Sequence, residues 1–185
     1  MKLKRQMKTA KRLRETNIAE YLLYMWQTED LLRAHRCDID RLRQSVLPVY
    51  PEADRADQER WLSDLCNMMR AEGVTEQGHL QINRNVLLQL GELHAALLAS
   101  GRHPGYHAAF HGALPFIAEL RQKGGGGGET PDIEVCFLAL YGLWMLRLRK
   151  QEISPETLRA FEAISALIRQ LAQYYIKDKN DELSL

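Results

Sequence analysis

The stretch VCFLALYGLWMLRL, Val135 to Leu148, decides the fold. Wound at helical pitch it is apolar on nearly every side, and Arg147 is its one charge. Such a helix is expected at the centre of a helical domain. It is too short and too polar at its edges to span a bilayer. Upstream, Thr130, Pro131 and Asp132 supply a cap, a first-turn proline and an acid at the positive helix end. Downstream, Ser154, Pro155 and Glu156 start another helix, which runs through Leu158, Phe161, Ile164, Ile168 and Leu171 to about Ile176.

The rest of the chain keeps the same periodicity, and strand-like alternation is absent. Asn17, with Glu20 at the capping-box position, opens a first long helix that ends near His35. A short helix follows Asp38, and Pro48 and Pro51 then break the chain. A helix from about Ala53 to Glu72 stops at Gly73, and another spans roughly Leu80 to Ala99. A fifth, about Tyr106 to Lys123, contains Pro115, where a kink or break is expected. Gly124 to Gly128 read as a flexible tether, because no GK[ST] follows and no strand precedes. The expected fold is all-α: an antiparallel helical bundle of about five long and two short helices, in a single domain over residues 17–176 with a polar tail from 177 to 185.

Charge is unevenly placed. The chain carries 25 Lys and Arg against 24 Asp and Glu, yet seven basic residues precede the first acid, Glu15. Residues 1–16 therefore read as a basic arm able to bind phosphates weakly and in a salt-dependent way. No aromatic platform or DNA-reading motif accompanies it, so nucleic acid is not the favoured partner. Three scattered cysteines without CxxC read as free thiols in a reducing compartment. No apolar segment of secretory type follows the basic start, and a cytoplasmic protein is expected.

Several stretches together resemble a known family: NIAEYLLYMWQTEDLLRA (Asn17 to Ala34), CDID (Cys37 to Asp40), MMRAEGVTEQGHLQIN (Met68 to Asn83), ALPFIAELR (Ala113 to Arg121) and LYGLWMLRLRKQEISPET (Leu140 to Thr157). They are similar to the bacterial domain of unknown function 4924. The resemblance runs from Asn17 onward and implies a bacterial, cytoplasmic, helical protein. It brings no activity, cofactor or catalytic residue. Neither the basic arm nor the glycine run is a feature the family is expected to require.

Two constellations stand out. His107 and His111 share a helix face at metal-ligand spacing, and His94 on the preceding helix offers a third ring for a divalent metal. Histidines without metal are the plainer reading of such a spacing. The second constellation is a pair of interruptions. The apolar row Ile18, Leu22, Met25, Leu32 is broken by Glu29, and the row Cys136, Leu140, Leu143 continues into Arg147. Both charges could reach water near helix ends, and Glu29 could pair with Arg33 one turn on. The sharper expectation is a buried polar centre in which Glu29 and Arg147 meet, or each meets another oppositely charged partner. No nucleophile elbow and no local Cys–His pairing is present. These residues favour a non-catalytic interaction or scaffold module with a protein partner or a second copy. A metal- or ligand-binding bundle, or weak polyanion contact through the arm, are the alternatives.

Overall fold

The computed structural model describes residues 6–123 and 130–185. Among them are eight α-helices, one 3-10 turn and no strand. In order they are α1 (Gln6–Thr16), α2 (Ile18–Ala34), α3 (Ile39–Ser45), the 3-10 turn Leu47–Val49, α4 (Glu52–Ala71), α5 (Gln81–Ser100), α6 (Pro104–Lys123), α7 (Asp132–Leu148) and α8 (Pro155–Lys179). The expected glycine tether lies outside the described residues, as do Lys2, Lys4 and Arg5 of the basic arm. No helix among the described residues is long and apolar enough to cross a membrane.

The chain divides into two compact units, Met1–Val86 and Leu87–Leu185, and the division falls within α5. In the first unit α1 packs on α2 and α4, while α3 and the 3-10 turn pack on α4. Leu22, Leu32, Leu42, Leu62 and Met69 are fully buried there. The stretch read as a basic arm is helical from Gln6. It buries Ala10 and Leu13 and leaves Lys11, Arg12 and Arg14 exposed, which is why its charge dominates the sequence while its packing side is small. Asn17 ends α1 and caps α2: its side-chain oxygen accepts the Glu20 N–H at 3.2 Å, and its amide donates to the Glu20 carboxylate at 3.0 Å. The first bond satisfies a backbone donor that a helix start leaves unpaired, and the second holds the two side chains together.

In the second unit α6 and α8 form the main pair and α7 packs against both. Ala113, Ile117, Phe137, Ile164 and Leu167 have no exposed surface. Ser154 caps α8 as expected, accepting the Thr157 N–H at 3.1 Å. Thr130 does not cap α7. The position before that helix is Pro131, without a side-chain hydrogen bond, and the Thr130 carbonyl accepts from the Arg121 guanidinium at 3.1 Å. Arg121 also pairs with Asp132, so α6 holds the start of α7. Pro115 does not break α6, which continues to Lys123. The expectation that α7 is covered on all sides fails too: Leu138 and Leu148 on it are 49% and 63% exposed.

Candidate functional site

Glu29 has no exposed surface at all. It sits on α2 at the point where the apolar row asks for leucine, and three donors from one short segment meet its carboxylate. Oε2 accepts from His79 Nδ1 at 2.6 Å. Oε1 accepts the Leu80 backbone N–H at 3.0 Å and the Asn83 side-chain amide at 2.6 Å. A carboxylate only accepts, so the proton on this edge of the imidazole belongs to Nδ1. The segment Leu80–Asn83 is the start of α5, where unpaired N–H groups and the helix dipole favour an anion. Glu29 is thus a capping group supplied from another helix.

The connection between α4 and α5 is shaped to deliver these donors. Gly73 and Gly78 adopt φ of +69° and +83°, the left-handed region that suits glycine. One helical turn beyond Glu29, Arg33 holds the middle of the same connection, donating to the carbonyls of Val74, at 3.3 Å, and Gly78. The Arg33 guanidinium also bonds Asp30 at 2.8 Å. Glu29 and Arg33 therefore do not pair with each other; both grip the segment Val74–Asn83. His79 stacks on Trp26, with ring centroids 4.2 Å apart and planes 12° from parallel. About 29% of the His79 side chain stays exposed. The Asn83 side-chain oxygen, Oδ1, is buried without a hydrogen-bond partner.

The sequence expectation gives Glu29 either Arg147 or another oppositely charged partner. His79, Leu80 and Asn83 occupy the carboxylate, while Arg147 is exposed on the last turn of α7, where a long side chain reaches water. His79 and Asn83 were not singled out from sequence. The signal available was a buried acid lacking a partner and the HLxxN pattern at a helix start, inside the quoted stretch Met68 to Asn83.

The three histidines considered for metal do not converge. His94 is buried and shares a hydrogen bond with the Tyr106 hydroxyl at 2.7 Å, with Phe110 edge-on at 4.8 Å. His107 is half-buried, its Nε2 without a hydrogen-bond partner, and His111 is exposed. Among the described residues no group of three or more His, Cys, Asp and Glu side chains is placed to hold a metal ion. All three cysteines are buried free thiols. Burial pushes the thiols of Cys66 and Cys136 up to about 12, with Cys37 beside Cys66 adding to the rise, so neither is a ready nucleophile near neutral pH.

Burial also lowers the His94 imidazole below its ordinary value, against an opposing pull from Asp132. The unfolded chain takes up a proton near pH ~6.5 that the folded protein refuses until lower pH. The stability contribution is therefore complete above that pH and is lost as pH falls below it. Melting temperature is expected to drop between about pH 7.5 and about pH 5.5, and to drop less in His94→Gln, as read by thermal melts of both proteins.

These features define an all-helical protein whose first unit holds a buried carboxylate, Glu29, at the start of α5. The chain belongs to the family described as domain of unknown function (DUF4924), which matches residues 7–182. That match takes in α1, so the basic segment lies largely within the family's span. No curated protein and no solved structure shows significant similarity to the chain.

Proposed function

We propose that the protein is a non-catalytic interaction module that receives an acidic, amphipathic peptide segment in its first unit. The observation that carries this reading is a groove of about 320 Å³ formed by α1, α2 and α4 with Ile82 of α5. Met25, Trp61, Leu65, Met68 and Ile82 supply an apolar floor, and Tyr21 closes one side under the Arg14 guanidinium at 5.6 Å. Lys11 and Arg14 line the same groove against a single acid, Asp64. An apolar floor beside two cations suits a helix that inserts apolar side chains and presents acids on its flank. The basic segment then serves as one wall of a binding groove.

Titration calorimetry with a synthetic acidic amphipathic peptide tests this. Binding is expected to weaken at least about tenfold in Met68→Glu, which puts a charge on the floor, and similarly in Lys11→Glu with Arg14→Glu. A basic analogue of the same peptide binding equally well would remove the proposal. Retention on heparin lost in the Lys11→Glu, Arg14→Glu variant, with no peptide binding, would replace it with polyanion contact.

A further inference from the structure

α7 carries a partly exposed face whose spacing is the same read from either end, with an acid at one end and a base at the other. The opposite side of the helix buries Ile133, Cys136, Ala139 and Leu143. The outer face presents, in order, Glu134, Leu138, Tyr141 with Gly142, Met145 and Arg149, spaced at the three- and four-residue intervals that share one side of a helix. Leu138 is 49% exposed, Arg149 is exposed, and Glu134, Tyr141, Gly142 and Met145 are half-buried.

Gly142 is the odd member. Glycine inside a helix costs about 1 kcal/mol relative to alanine. A Cβ built there meets nothing within 4 Å, so no packing within the chain requires its absence. Bare backbone at the middle of a partly exposed apolar face permits close approach by another helix.

We infer that this face pairs with the same face of a second copy, the two α7 helices running antiparallel about a two-fold axis midway between Tyr141 and Gly142. Under that symmetry each residue meets a counterpart equally far on the other side of the axis. Tyr141 lies over the partner's Gly142, where the missing side chain leaves room for the ring. Leu138 meets the partner's Met145. Glu134, at the N-terminal end, meets the partner's Arg149, at the C-terminal end, and both ion pairs form at once. A parallel pairing would set Glu134 against Glu134 and Arg149 against Arg149. The charge order therefore selects the antiparallel arrangement and a copy of this chain as occupant.

Sedimentation velocity of the full chain over a range of concentrations is the test. A reversible dimer of the 21.3 kDa chain is expected. Leu138→Glu, at a half-exposed position, should keep the helical circular-dichroism signal and weaken association at least about tenfold. Glu134→Arg and Arg149→Glu should each weaken it, and the two together should restore it. Gly142→Ala separates this proposal from a purely structural role: it should raise the melting temperature of dilute monomer while weakening the dimer. A monomer at every concentration overturns the inference, as does a dimer indifferent to Leu138→Glu. Failure of the double charge swap to restore association overturns the antiparallel register.

Discussion

Glu29→Ala is expected to destabilise the protein by roughly 3–5 kcal/mol, measured as a shift in denaturant midpoint at unchanged slope. The magnitude comes from what is left behind. The Leu80 N–H, the Asn83 amide and His79 Nδ1 all lose their acceptor, and the first two are buried where water cannot replace it. Glu29→Gln should cost far less, about 1–2 kcal/mol. Its carbonyl can keep Leu80 and Asn83, and its amide can donate to Nδ1 once the imidazole proton moves to Nε2. Arg147→Met should change stability by no more than about 0.5 kcal/mol, because that side chain is exposed. Equal losses in Glu29→Ala and Arg147→Met would show that the two charges act together after all.

Trp26→Ala is expected to cost about 3–5 kcal/mol by the same measurement. Trp26 is 2% exposed, and its ring is the surface on which the His79 imidazole lies. Truncation opens a cavity and removes the stacking partner that fixes the imidazole plane. Trp26→Phe keeps a face for stacking and should recover part of the loss. In a cycle with His79→Ala, the two substitutions should be non-additive by about 0.5–1.5 kcal/mol. Simple additivity would mean that the stack contributes nothing beyond its buried area.

The helical architecture was readable because caps and periodicity act over a few residues. Asn17, Asp38, Gly73 and Ser154 all mark boundaries from local sequence alone, and the structure agrees at each. Glu29 was visible as a gap in an apolar row for the same reason. Its partners were not, because a row shows which side of a helix is buried and not what lies opposite. Any cation on another buried row looked eligible, and Arg147 was the one at hand. The actual donors come from an irregular connection, where no period exists to flag His79. The amphipathic character of residues 6–16 was hidden for another reason: Ala10 and Leu13 make a narrow buried stripe in a segment that also carries Lys8, Lys11, Arg12 and Arg14. In α7 the error ran the other way. A helix that is apolar all round was taken for one that is buried all round, although an apolar face can equally await a second molecule.

The Glu29 centre has a bearing on how the chain reaches this arrangement. The pairs α1 with α2 and α3 with α4 join neighbours in sequence, and such contacts form quickly. The hydrogen bonds of Glu29 span 50, 51 and 54 residues, enclosing α3 and α4 in one large loop. Closing a loop of that size costs about 3.5 kcal/mol of chain entropy beyond a constant, and hydrogen bonds return nothing until the ends have met. The carboxylate is therefore placed to act late, as the latch that fastens the beginning of α5 once the enclosed helices have condensed. Weakening such a latch leaves the rate of condensation nearly untouched and lets the assembled unit open sooner.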